Sequence, residues 1–269
     1  MLKDITLGQY FPGTTFVHRL DPRTKLILTV VYIAALFVAK WYFSYALVLV
    51  FLLTAAWVSR IRLTTMLKGV KPLLVIIILT GLLNVFYTKG EGEPLVDWWI
   101  FHIYPEGLQT AFFMILRIIL LIAGTFLLTY TTSPISLTDG LERLLSPLKK
   151  VKVPVHELSM MMCIALRFIP TLIEETDKII SAQKARGADF ESGNILRRAK
   201  ALIPILVPLF ISAFRRADEL ATAMESRCYH GGEGRTRLHE LKFSGRDAVA
   251  FLIGLLVLAG TIVLCCFGL

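Results

Sequence analysis

The chain of 269 residues is poor in charge. Asp, Glu, Lys and Arg together make up 18% of it, against about a quarter in soluble domains, and that deficit excludes an ordinary well-solvated globular surface. Cysteine is scarce too. Cys163, Cys228, Cys265 and Cys266 show no CxxC spacing and no accompanying histidine cluster. They read as apolar filling, with no disulfide framework and no metal site expected. The motifs of common chemistry are missing. There is no GxxxxGK[ST], no HExxH and no GxSxG, hence no phosphate-cradling loop, no zinc-protease helix and no nucleophile elbow. The histidines, His18, His102, His156, His230 and His239, are scattered, and His156 next to Glu157 on a helix would point away from it. The chain is therefore expected not to be an enzyme and to carry no cofactor of its own. A cleavable signal peptide is not expected either, because Lys3, Asp4, Gly8, Gln9, Pro12 and Gly13 interrupt any early apolar run.

What the chain has in abundance is apolar sequence. Hydrophobic residues make up 55% and the mean hydropathy is +0.67, in blocks long enough for a bilayer. The expected fold class is all-α: a polytopic helical membrane protein with five transmembrane helices and about three further cytoplasmic helices. The spans are expected at 24–40, 42–59, 70–88, 107–131 and 246–267. At about 1.5 Å per residue these cross a hydrocarbon core of about 30 Å, the first two with help from Lys40, Trp41, Tyr42 and Tyr45 at their turn.

The net charge of +9 is unevenly placed. Lys3, Arg19, Arg23 and Lys25 precede the first span. Arg60, Arg62, Lys68 and Lys71 follow the second, and the 132–246 stretch is rich in both cations. The 89–106 loop instead carries Glu91, Glu93, Asp97 and Glu106 against Lys89, together with Trp98, Trp99, Phe101 and Tyr104. The positive-inside rule puts the N-terminus and the basic segments in the cytoplasm, and the acidic, aromatic loop and the C-terminus outside. That loop reads as an interfacial segment on the outer leaflet. The aromatics sit in or beside spans rather than among the exposed basic residues, so nucleic acid is not an expected partner.

The organisation expected is a membrane region over 1–131, a cytoplasmic helical region over 132–245 and a C-terminal span over 246–269. Within the middle region, a short helix over 137–149 precedes two long ones. One starts at Pro154 and stops at Gly187, with Leu158, Met161, Met162, Ala165, Phe168, Ile169, Leu172 and Ile173 at helical spacing. The other runs from near Asn194 to just before Gly231, with Pro204 and Pro208 expected to kink or divide it. Both start apolar, turn charged and end in a small-Arg-small triplet, Ala185-Arg186-Gly187 and Ser226-Arg227-Cys228. Offset by 41 positions, Asp177 meets Asp218, Ala182 meets Ala223 and Arg186 meets Arg227, a weak internal repeat. An Arg at a helix C-terminus suits the dipole. Two such tips on one side of the membrane, each a rigid fork of donors suited to carboxylates, suggest two equivalent partners.

Two further features are candidates. Arg117 lies inside the fourth expected span, where a charge is costly and either functional or bonded to neighbouring carbonyls. The N-terminal stretch Tyr10-Phe11-Pro12-Gly13, then Leu20-Asp21-Pro22-Arg23-Thr24-Lys25, reads as ordered, with Asp21 at a helix N-cap and Pro22 at its first position.

On the Tyr10–Gly13 and Leu20–Lys25 stretches and the two Arg triplets, the sequence resembles the transmembrane T component of energy-coupling factor (ECF) transporters, EcfT, related to CbiQ, over essentially its whole length. Ser226-Arg227-Cys228 departs from the family pattern, which commonly has a small residue such as Gly in its last place. The resemblance implies a scaffold subunit of an ATP-driven bacterial importer in the cell membrane. Its coupling helices would seat Arg186 and Arg227 in grooves of two homologous ABC-type ATPase subunits. A separate S component would bind the vitamin or other micronutrient, and ATP and Mg would belong to the ATPases. The flexible Met160, Met161, Met162 and Leu166 face is a candidate contact for the S component, and Pro12, Gly13, Asp21, Pro22, Arg23 and Lys25 are the N-terminal motif. The alternative is a membrane permease with its own substrate site, which would need a polar cavity at the bilayer midplane. Apart from Asn84 and Arg117, few polar residues lie in the expected spans to line one.

Overall fold

The computed structural model describes residues 10–87, 96–98, 101–188, 190, 194–231 and 241–267. Lys3, Asp4, Gly8, Gln9, Lys89, Glu91, Glu93, Trp99 and His239 lie outside them. The described residues form nine α-helices: α1 (Pro22–Val38), α2 (Tyr42–Ser59), α3 (Leu63–Val70), α4 (Leu74–Tyr87), α5 (Pro105–Thr131), α6 (Pro134–Leu145), α7 (Val155–Ala185), α8 (Ile195–Ser226) and α9 (Gly245–Phe267). Short 3-10 turns over Lys71–Leu73 and Ser146–Val151 join α3 to α4 and follow α6. The stretch expected at the outer interface contains a short antiparallel pair, β1 (Val96–Trp98) with β2 (Phe101–Ile103), in whose register Asp97 pairs with His102.

The protein is a polytopic helical membrane protein. Five helices are long and apolar enough to cross a bilayer: α2, α3 with α4, α5, α7 and α9. Four of these coincide with expected spans. The first expected span is α1, with 17 residues and about 25 Å of length, at the short end of what can cross. It packs along α9 and α5 and so shares their layer. α7 qualifies by length and composition although the sequence reading keeps it in water. Its charges Glu174, Glu175, Asp177, Lys178 and Lys184 crowd its second half, a segment the hydrocarbon would exclude.

The described residues divide into two compact units, one drawn from Glu142–Glu240 and the other from Gly8–Leu141 with Leu241–Leu269. In the second unit the core is built on Tyr32, Leu36, Tyr45, Val48, Leu52, Leu120 and Tyr130. The Tyr32 hydroxyl donates to the carbonyl of Leu120 at 2.8 Å, so the phenol is satisfied where no water can reach it. Gly124 lets α5 come this close. A Cβ there would stand 2.3 Å from the Tyr32 ring, the small-residue approach on which membrane helices rely.

In the first unit α8 packs on α7. Pro204 and Pro208 do not divide α8, which runs unbroken through both. A proline at 208 has no N–H for the carbonyl four residues back, and the side-chain amide of Gln183 on α7 donates to that Pro204 carbonyl at 3.3 Å. The bond lost inside one helix is replaced from its neighbour.

Candidate functional site

The two Arg triplets end their helices in the same way. At the end of α7 the Gly187 N–H bonds the Lys184 carbonyl at 3.0 Å and the Ala188 N–H bonds the Gln183 carbonyl at 3.0 Å. At the end of α8 the Cys228 N–H bonds the Glu225 carbonyl at 2.8 Å and the Tyr229 N–H bonds the Met224 carbonyl at 3.1 Å. Both are Schellman caps, and each needs a left-handed residue just past the helix. Gly187 (φ 86°) and Cys228 (φ 56°) occupy that position. The last small residue of each triplet is thus a conformational requirement, easy for glycine and strained for cysteine. The Arg sits at the cap itself. Arg186 and Arg227 are both exposed, and among the described residues neither is in an ion pair.

The helices that carry them cross antiparallel. Gln183 meets Pro204, and Met160 receives the Tyr229 hydroxyl on its sulfur at 2.9 Å. Between these, the Arg216 guanidinium donates to Glu175 Oε2 at 3.0 Å and the Ser212 hydroxyl donates to Glu175 Oε1. The Arg216 guanidinium also stands 5.9 Å from the centre of the Phe168 ring. Positions 175 and 216 are separated by 41, the offset of the sequence repeat, so the crossing is pinned by equivalent positions of the two halves. Arg186 lies 11 residues beyond Glu175 and Arg227 lies 11 beyond Arg216, about 16 Å of helix each. The two guanidiniums therefore stand at opposite ends of a roughly two-fold arrangement. Beside the Arg227 end is a recess of about 630 Å³ whose lining includes Met160, Ile164, Met224, Arg167, Arg227 and His230. Of the methionine face, Met160 and Leu166 are half-buried while Met161 and Met162 are exposed.

The N-terminal motif is a knot that ties the ends of three helices. Asp21 caps α1, accepting from the Arg23 N–H at 2.9 Å, and its own N–H donates to Asp247 Oδ1 at 2.8 Å. Asp247 Oδ2 accepts the Ser244 N–H at 2.8 Å and hydroxyl at 2.9 Å, capping α9. The Arg23 side chain clamps Asp21 at 3.1 Å, reaches the Leu241 carbonyl at 2.8 Å and lies 4.3 Å from the centre of the Phe243 ring. Lys25 donates to the carbonyls of His18 at 3.1 Å and Thr131 at 2.9 Å, joining α1 to the end of α5. His18 in turn bonds the Phe11 carbonyl at 3.1 Å and the Thr15 hydroxyl at 2.7 Å, and burial lowers its pKa below the usual imidazole value. Gly13 rests on the His18 ring, where a Cβ would come within 2.8 Å, and the neighbouring Pro12 is exposed. Pro22 occupies the first turn of α1.

Arg117 is satisfied from within. Its Nε donates to the Tyr45 hydroxyl at 3.0 Å and its Nη2 to the Ala39 carbonyl at 3.1 Å. It lies at the C-terminal end of α1, where a cation complements the dipole, and at the level of the α1–α2 turn. Asn84, the other polar candidate in the spans, donates to the Thr80 carbonyl of its own helix at 2.9 Å.

The family model for CbiQ, described as a cobalt transport protein, matches residues 13–238, a range that holds both triplets and all of the N-terminal motif except Pro12. Relatives span the chain from end to end. One from Clostridium kluyveri is 56% identical over 257 residues, covering 96% of this chain and 95% of its own. One from Thermosediminibacter oceani is 54% identical over 265 residues, covering 97% and 98%. One from Bacillus subtilis is 49% identical over 259 residues, covering 96% and 97%. All three bear the name energy-coupling factor transporter transmembrane protein EcfT.

The chain belongs to the EcfT family. It is a transmembrane component of an ECF transporter, consistent with its apolar helices. The residues on which the resemblance rests divide in the structure. The triplets cap α7 and α8 in one unit, and the N-terminal motif braces α1, α5 and α9 in the other. Sequence reasoning missed the Glu175–Ser212–Arg216 cluster, although the 41-residue offset aligns Glu175 with Arg216. It also missed Asp247, which nothing local in the sequence connects to Asp21, and the pairing of His156 Nδ1 with Glu142 Oε1 at 3.1 Å.

Proposed function

We propose that this EcfT-family chain is the coupling subunit of its transporter, passing the motion of two homologous ABC-type ATPase subunits to a separate substrate-binding S component. The single observation that carries this reading is the pair of exposed arginines, Arg186 and Arg227, held by matching caps at opposite ends of one two-fold-like helix crossing. An approximately two-fold partner, such as a pair of homologous ATPases, meets two equivalent ends with two equivalent grooves. A guanidinium at each end is suited to a carboxylate on each partner. Arg167 beside Arg227 adds positive charge at that end. ATP and Mg belong to the partners, since no nucleotide motif occurs in this sequence.

The S component has a candidate contact in Met161 and Met162, with exposed Leu202, Leu206, Phe210 and Phe214 on α8 extending the apolar surface of the same unit. Methionine-rich surfaces repack to suit more than one partner. The basic loops put the N-terminus and the coupling helices in the cytoplasm of a bacterial cell and the C-terminus outside. A permease with its own substrate site finds less support, because Arg117 and Asn84 are each spent on bonds within the chain. Purification from its own membranes in mild detergent, followed by mass spectrometry, tests the reading. Two ATPases plus a small hydrophobic protein are expected. Recovery of the chain alone with transport activity after reconstitution would overturn it.

A further inference from the structure

Two concavities of the 10–141 and 241–267 unit adjoin each other and have opposite character. One is a basic recess of about 560 Å³ at the corner between α2 and α3, bounded by Pro12, Thr15, His18, Arg60, Arg62 and Thr65. No carboxylate is among its lining residues. Arg60 turns the corner in the left-handed region (φ 57°), and both arginines are exposed. No side chain caps α3; the Arg62 carbonyl takes the Thr65 and Met66 amides, and the amides of Leu63 and Thr64, with no partner inside the helix, add its positive end to the two guanidiniums. The Lys25 ammonium, held by the carbonyls of His18 and Thr131, lines the neighbouring cleft rather than this recess.

The other is a cleft of about 280 Å³ among α1, α2, α5 and α9, with a lining that is almost wholly apolar and includes Leu28, Phe51, Val58, Leu127 and Ile253. The two draw on the same two chain segments. Thr15 lines the recess and Phe16 the cleft, and Ser59 lines the recess and Val58 the cleft. The cleft walls are helices that lie in the membrane, and the recess sits where α2 ends.

We propose that these two concavities form one binding site for an anionic phospholipid, with the phosphate between Arg60 and Arg62 and an acyl chain in the apolar cleft. A soluble anion would use the recess and gain nothing from the cleft, and a zwitterionic lipid would use the cleft and gain less from the guanidiniums. Only an anionic lipid satisfies both, and basic pockets between membrane helices on the cytoplasmic side are where such headgroups gather. The site is independent of the Arg186 and Arg227 tips.

The test is native mass spectrometry of the full-length chain released from detergent after incubation with phosphatidylglycerol, phosphatidylcholine or inorganic phosphate. One phosphatidylglycerol is expected to be retained in preference to phosphatidylcholine and to resist added phosphate. Arg60→Gln with Arg62→Gln, both exposed and outside the core, should weaken retention about 25-fold, roughly fivefold for each charge. Ala55→Phe, which fills the cleft from its wall, should also weaken it, while Lys149→Gln with Lys150→Gln should not. Unchanged retention in the Arg60/Arg62 variant, equal retention of phosphatidylcholine, displacement by phosphate, or equal loss in the Lys149/Lys150 variant would each overturn the proposal.

Discussion

Equivalent positions of α7 and α8 should respond to substitution with opposite signs. Gly187 and Cys228 both occupy the left-handed residue of a Schellman cap. For a residue with a Cβ that conformation costs roughly 1–2 kcal/mol, partly offset in glycine by the extra backbone freedom it loses on folding, about 0.5–1 kcal/mol. A Cβ at Gly187 would meet nothing within 4 Å, so the effect of Gly187→Ala is purely one of backbone conformation. It should weaken the last turn of α7 by about 1 kcal/mol, while Cys228→Gly should strengthen the last turn of α8 by about 0.5 kcal/mol. The reporters are the amides of Ala188 and Tyr229, which donate the closing bonds. Hydrogen exchange at Ala188 should speed up about fivefold in the first variant, and exchange at Tyr229 should slow about twofold in the second. Gly187→Asn, which tolerates the left-handed region, should recover much of the loss. Shifts of the same sign at both caps, or none, would refute the assignment of these residues to the caps.

Other consequences follow from the bonds around each charge. Asp247→Asn removes one acceptor oxygen from a group that takes three donors and should cost about 2 kcal/mol, seen as a lower unfolding temperature in detergent. Arg117→Ala strips the Tyr45 hydroxyl and the Ala39 carbonyl of their partner and should cost a similar amount, about 2 kcal/mol, with Arg117→Lys recovering part of it. A double-mutant cycle on Glu175 and Arg216, whose side chains are 26% and 33% exposed, should give a coupling below about 1 kcal/mol, because partly solvated pairs are screened. His18 has its folded-state pKa lowered by burial. The unfolded chain then binds the extra proton more readily, and stability should decline as pH falls from about 7 through the free imidazole value near 6.5. His18→Gln should flatten that decline, measured by unfolding against pH.

The spans were legible because hydropathy over some twenty residues leaves little choice of structure. The two long helices and their stops were legible because Gly187 and the charge gradient mark an end. What escaped was set by contacts distant in sequence. Across Pro204 and Pro208, the carbonyl of Pro204 takes its donor from Gln183 on another helix. The N-terminal motif looked like a helix cap with basic anchors, and Asp21 is indeed a cap, yet its place in the knot depends on Asp247 more than two hundred residues away. Arg117 lies in its expected span, and of the two readings open for it, functional or bonded to neighbouring carbonyls, its bonds are of the second kind, to partners on α2 and at the end of α1 that no local pattern names. The departure at Cys228 is intelligible only through its backbone, since the sequence shows a residue other than glycine and the fold shows the glycine conformation.

The proposed coupling role rests on the two arginines at the ends of the α7–α8 crossing. Arg186→Glu and Arg227→Glu, singly and together in the native complex, should be followed by ATPase co-purification and by uptake of the imported solute. Each single variant is expected to weaken capture of the ATPase pair and slow uptake, and the double variant to abolish both, while the chain still reaches the membrane. Full ATPase capture and full uptake in the double variant would contradict the coupling role.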